Sequence, residues 1–178
     1  QKHTGGKNGY GGKLANIFSK EFIVETIDHN HGKKYVQRFY NNMADKDKPK
    51  ITANKGKPYT KITYYPDFER FGHKTLEDDM IRLMTKRTYD AAAVTDPSVN
   101  IFLNDKKLEF KSFDKYTDLY LGDKAENPRL CQDFGSRWSV CIGVNPNQQF
   151  EQVSFVNGIT TYQGGKHVEY ITNQVCKK

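Results

Sequence analysis

The sequence predicts an α/β fold in which antiparallel hairpins lead into amphipathic helices. Three features point to it. Apolar and polar residues alternate over 22–26, 35–39 and 62–65, with polar turns between; one long helical periodicity covers about 76–93; and a second series of strands and helices follows residue 111. With 178 residues, 36% apolar and 13% aromatic, the chain can bury a core of roughly one to two domains.

The first element is a glycine-rich stretch, TGGKNGYGGKLANIFS, over residues 4–19. Leu14, Ile17 and Phe18 recur at helical spacing after it, so a short helix is expected from about Leu14, with Lys13 in its first turn. Segments 22–26 and 35–39 flank the polar turn DHNHG, and the strand 62–65 ends at Pro66-Asp67. Thr75 is the expected N-cap of the long helix, with Leu76, Met80, Ile81, Leu83 and Met84 on one face and Asp78 paired to Arg82.

Further on, 99–103 and 108–110 read as a hairpin around NDKK, and 113–121 as a helix capped by Ser112. RWSVCIGV and FEQVSFVNGI read as paired strands joined by Asn145-Pro146-Asn147, and a helix begins near Val168. A domain boundary is expected near Lys111. The chain opens on Gln1 with no initiator Met and reads as the interior of a longer protein.

Charge is unevenly distributed. Residues 1–111 hold 21 Lys/Arg against 14 Asp/Glu, whereas residues 112–178 hold seven of each. The first part therefore has the field to attract a polyanion, nucleotide phosphate or nucleic acid, although Lys46, Lys48, Lys50, Lys55 and Lys57 also suit solvated loops. No run reaches the roughly 18 apolar residues of a membrane span, so no membrane partner is expected. Cys131, Cys141 and Cys176 are odd in number and lack CxxC spacing, which argues against a zinc site or a disulfide framework and fits a reducing compartment.

Glycines before a helix suit an anion, because backbone N–H groups and the helix dipole face the ligand and no Cβ blocks approach. Spacing excludes three familiar loops. A Walker A loop fails because Lys7 stands at its first glycine and Leu14 at its Ser/Thr; GxGxxG and the kinase loop both fail at Leu14. What remains is G-x-x-G-x-G-x-K, from Gly6 to Lys13.

This loop resembles that of the GHKL (Bergerat-fold) ATPases, and among them the eukaryotic-type (type IIA) DNA topoisomerase II family. FIVET, YTKITYYPDFERF, TKRTYDAAA, FLNDKKLEF, RWSVCIGV and SFVNGITTYQGGKHVEYITNQV resemble family segments in the same order, over nearly the whole chain. Lys7 stands where arginine is common and Gly12 where alanine is.

The resemblance implies an α+β sandwich: residues 1–111 as the C-terminal part of the GHKL ATPase domain, residues 112–178 as the start of a ribosomal S5 domain 2-like transducer. It implies ATP and Mg2+ as cofactors, with Gly6, Lys7, Asn8, Gly9, Tyr10, Gly11, Gly12 and Lys13 around the triphosphate and Thr60 near the adenine. The family's general-base glutamate and magnesium-binding asparagine would precede Gln1, and its phosphate-sensing lysine would follow Lys178, so no catalytic residue is expected in this chain. The full-length parent would hydrolyse ATP as a homodimer acting on DNA, in the nucleus, or in a viral or cytoplasmic setting if the source is a large virus; the isolated chain would be inactive.

Other features read as structure. Gly164-Gly165 reads as a turn, His29 and His31 as part of a hairpin turn, and Trp138 as a strand-core residue rather than a stacking platform for a base. Two other functions fit the same residues: a different GHKL protein, such as a heat-shock chaperone or a MutL-like repair protein, and a basic DNA-binding module without nucleotide.

Overall fold

The computed structural model describes residues 6, 8–110, 112–145 and 147–177. It forms two compact units, one of residues Gly6–Glu77 and one beginning at Asp78. The boundary expected near Lys111 falls on a residue outside the described ones.

The first unit is a helix and an antiparallel sheet. Helix α1 spans Tyr10–Ile17 and runs at once into β1, Ser19–Asp28. β1 is the centre: it pairs with β2 (Lys33–Tyr40) on one side and β5 (Tyr59–Pro66) on the other, while the short β3 (Asp45–Lys46) and β4 (Lys50–Ala53) both pair with β2. A 3-10 turn, Phe68–Phe71, follows Pro66, whose ring cannot continue the ladder.

Register separates the two faces of this sheet. Glu21, Glu25, Lys34, Arg38 and Lys61 share one face, where Arg38 meets Glu21 at 2.6 Å and Lys34 meets Glu25 at 3.1 Å. A hydrogen bond from Tyr59, then one from Lys34, holds the Glu25 carboxyl below its ordinary range. The opposite face carries Phe22, Val24, Thr26, Ile51, Thr60, Ile62 and Tyr64. Phe22 is buried against Tyr64, yet Ile62 and Ile51 remain 48% and 59% exposed. At the β1–β2 turn Asp28 Oδ1 accepts the N–H of Asn30 at 3.0 Å and Gly32 takes φ 59°, so His29 and His31 sit in a turn as expected.

The second unit begins with α2, Asp78–Ala93. Its start differs from expectation: Thr75 Oγ1 donates to the Leu76 carbonyl instead of capping, and Arg82 meets Asp79 at 3.4 Å rather than Asp78. Met80, Ile81, Leu83 and Met84 are exposed, and the buried positions are Asp90, Ala92 and Ala93. Burial follows contact with α3 (Phe113–Leu121), which meets α2 near its C-terminal half. That helix matches expectation at both ends, with the Lys115 N–H donating to Ser112 Oγ at 3.2 Å and Gly122 in the left-handed region at φ 72°.

Three hairpins complete the unit. β6 (Phe102–Leu103) and β7 (Lys106–Lys107) close on Asn104-Asp105, both with positive φ, so the two lysines are strand and not turn. β8 (Arg129–Phe134) pairs with β9 (Trp138–Gly143), and β10 (Phe155–Val156) with β11 (Ile159–Thr160) through Asn157-Gly158. RWSVCIGV therefore pairs with the segment before it, not with FEQVSFVNGI. Gly164 and Gly165 form the expected turn before α4, Lys166–Cys176.

Two further expectations are corrected. Cys131 and Cys141 oppose each other on β8 and β9 and are disulfide-bonded, because register places the two side chains on one face at a Cα separation of 4.0 Å. Trp138 opens β9 at 40% exposure, with its ring 6.3 Å from that of Tyr170, so it is not core. Among the described residues no helix is long and apolar enough to cross a membrane.

Candidate functional site

The glycine loop is shorter, and its helix longer, than the sequence suggests. Gly9 takes φ 67° and ψ 17°, a left-handed conformation that costs glycine nothing, and serves as the N-cap of α1. The helix then starts at Tyr10, not near Leu14, so Gly11, Gly12 and Lys13 lie in its first turns. Each helical glycine costs about 1 kcal/mol relative to alanine, which makes this the weakest part of the helix. The other end is held: Ser19 Oγ donates to the Ala15 carbonyl at 2.5 Å, the Phe18 N–H to Leu14 at 2.9 Å, and Asn16 and Ser19 are buried.

This arrangement aims the orphan N–H groups of the first turn, and the positive end of the helix, outward. Asn8 to Lys13 are exposed, and among the described residues no atom beyond the adjacent residues and the helix's own backbone lies within 4 Å of where a Cβ would stand at Gly9, Gly11 or Gly12. Lys13 makes no ion pair among the described residues. Lys7 lies outside the described residues, and Gly6 is exposed.

Thr60 sits on β5, opposite Thr26 of β1. Its Oγ1 lies 3.1 Å from Thr26 Oγ1, which also reaches the Tyr59 carbonyl at 3.0 Å, so the hydroxyl is not simply solvated. Among the described residues no hydrogen bond joins Thr60 to the loop.

The field around the loop is positive. Residues 6–77 carry 14 Lys/Arg against eight Asp/Glu, whereas residues 78–178 carry 13 of each. Lys46, Lys48, Lys50, Lys55 and Lys57 are all exposed; Lys46 and Lys50 stand on strands rather than loops.

A feature the sequence analysis did not single out is Asp90. It is 4% exposed and accepts from the Tyr116 hydroxyl at 2.7 Å, Thr160 Oγ1 at 3.0 Å and Lys86 Nζ at 2.9 Å. Burial pushes its carboxyl up, but these three donors outweigh burial and hold it below its ordinary range. Burial and the Asp90 carboxylate push Tyr116 far above the phenol range. The i, i+4 spacing of Lys86 and Asp90 was legible; the two distant hydroxyls were not. A groove of about 470 Å³ beside this network is lined by Ile81, Lys86, Tyr89, Tyr116, Leu119 and Tyr120.

No protein-family model matches the chain. The chain is 48% identical over 98% of its length to DNA topoisomerase 2 of Arabidopsis thaliana, covering 12% of that protein, and 46% identical over 98% to that of Acanthamoeba polyphaga mimivirus, covering 14%. Its structure superposes on the ATPase region of Saccharomyces cerevisiae topoisomerase II with a TM-score of 0.88 at 46% identity, over 97% of this chain and 45% of that one. The chain belongs to the DNA topoisomerase II family. It matches the ATPase region of these enzymes and has the mixed helix-and-sheet fold expected of it. A type II topoisomerase chain thus fits the sequence better than a chaperone, a repair protein or a nucleotide-free module. It spans less than one sixth of the length of the curated relatives it matches.

Proposed function

We propose that this chain supplies the triphosphate cradle of an ATP-dependent type II DNA topoisomerase. The observation that carries the reading is the left-handed Gly9 leading into an exposed, glycine-rich first turn of α1, in a chain 46% identical to a solved topoisomerase II ATPase region. The residues fit the ligand. Open space beside Gly9, Gly11 and Gly12 lets phosphate oxygens reach main-chain N–H groups, and Lys13 adds a point charge from the same helix. Gly6, Lys7, Asn8 and Tyr10 complete the cradle, and Thr60 stands beside the base. Bound nucleotide with Mg2+ supplies the scissile phosphoanhydride; these residues bind and orient it and move no proton.

Residues 1–111 belong in this reading to the ATPase domain and residues 112–178 to the start of the transducer. The parent protein closes as a homodimer on ATP and passes duplex DNA, in the nucleus or in the compartment of a large virus. Lysines of the first unit raise the local concentration of polyanions.

The test is Gly9→Val and Lys13→Ala in the full-length protein, assayed for ATP hydrolysis and for nucleotide-dependent dimer closure. Valine at φ 67° is strained and blocks amide approach, and alanine deletes a charge-assisted contact worth about 1.5–3 kcal/mol, roughly a tenfold to hundredfold loss in kcat/KM. Wild-type turnover in both variants would remove the phosphate assignment.

A further inference from the structure

β8 and β9 hold Cys131 opposite Cys141, and the first turn of α3 brings Asp114 to the same place. A carboxylate oxygen of Asp114 and the two sulfurs all lie within 4.8 Å of one another, with all three residues half-buried. Asp114 Oδ1 is a buried oxygen without a hydrogen-bond partner, and Lys124 Nζ comes only to 3.6 Å. Thr117 Oγ1 stands 3.7 Å from Cys141 Sγ on the same helix. None of these residues belongs to the glycine loop.

We propose that, once the Cys131–Cys141 bond is reduced, Cys131, Cys141 and Asp114 form a binding site for one zinc-class divalent cation. Two thiolates and a carboxylate are the donor set that borderline-soft cations select, whereas magnesium and calcium require oxygen donors throughout. In a tetrahedral site with Zn–S near 2.3 Å the two sulfurs stand about 3.7 Å apart, a separation that side-chain rotation alone provides between Cα atoms 4.0 Å apart. Asp114, whose Oδ1 accepts no hydrogen bond, is the third ligand, and water takes the fourth position.

Disulfide and metal exclude each other. A dithiol reductant delivers two electrons and two protons to the Cys131–Cys141 bond, leaving two thiols and becoming a disulfide itself. The cation then displaces both thiol protons to solvent. The cluster thus exchanges one cross-link of the β8–β9 hairpin for another that also ties in α3.

Site-resolved alkylation of the full-length protein tests this. The protein is reduced with a water-soluble phosphine, treated with iodoacetamide with and without Zn2+, and the rate at each cysteine is read by peptide mass spectrometry. Zn2+ slows Cys131 and Cys141 about tenfold or more and leaves the exposed, free Cys176 unchanged, while Mg2+ protects none. Asp114→Asn raises the Zn2+ needed by about tenfold, and Asp114→Glu recovers part of the loss. Rates at Cys131 or Cys141 that ignore Zn2+, or protection of Asp114→Asn at the same Zn2+ concentration as the wild type, would overturn the site. Co2+ gives a readout independent of the Asp114 variants: a thiolate-to-cobalt charge-transfer band is expected in the reduced protein and is lost in Cys131→Ser, and an equal band in both would overturn the proposal.

Discussion

Tyr116 and Asp90, 26 residues apart, meet through a hydroxyl-to-carboxylate hydrogen bond of 2.7 Å in the buried seam of α2 and α3. Tyr116 is 2% exposed, and Phe110, Phe113, Tyr120 and Phe155 all place their rings within 6.3 Å of its own. The polar contact fixes which way the aromatic cluster faces, because an unpaired carboxylate there would lose its solvation without return.

Asp90→Ala leaves the Tyr116 and Thr160 hydroxyls without their acceptor, at about 1–3 kcal/mol for each group. Taken together at about 3 kcal/mol, this raises the opening equilibrium of the α2–α3 seam roughly a hundredfold. Amide hydrogen exchange along 82–93 and 113–121 of the full-length protein reads it. Asp90→Asn keeps the shape and one acceptor oxygen and opens the seam less.

Acid acts on the same bond. The folded-state Asp90 carboxyl titrates below its unfolded value, so its contribution is complete above the ordinary carboxylate pKa of about 3.9 and is lost as pH falls through the folded value. Exchange protection of α2 and α3 in the wild type is therefore expected to decline below about pH 4, and Asp90→Asn to flatten that decline. Equal acid sensitivity in the two proteins would assign the effect to other carboxylates.

Thr60→Val separates a site role from a sheet role. Valine suits a strand, so exchange protection of β1 and β5 stays near wild type even though the Thr26 contact is lost. If Thr60 stands beside the base, the ATP KM of the full-length protein rises about fivefold, the equivalent of one hydrogen bond of about 1 kcal/mol, with kcat unchanged. An unchanged KM would leave Thr60 as a sheet residue.

Local chemistry in the sequence determined much of this protein. Strands β1, β2 and β5, the body of α2, the Ser112 cap of α3, the turn at Gly164-Gly165 and the glycine–lysine pattern up to Lys13 all depend on neighbours within a few residues and were readable without coordinates, whereas β3, β4 and β8 were not. Asn157-Gly158 was a local signal too, a two-residue hairpin turn passed over in favour of a longer pairing.

Tertiary structure alone decided the rest. Helix α1 reaches back to Tyr10 because it packs on β1 and β5, which offsets the cost of two glycines. Cys131 faces Cys141 because hairpin register, not spacing, selects cross-strand partners, and Asp90 gathers donors from residues up to 70 positions away. The Asp90 contacts with Tyr116 and Thr160 depend on how elements pack, and no short window of sequence contains both partners.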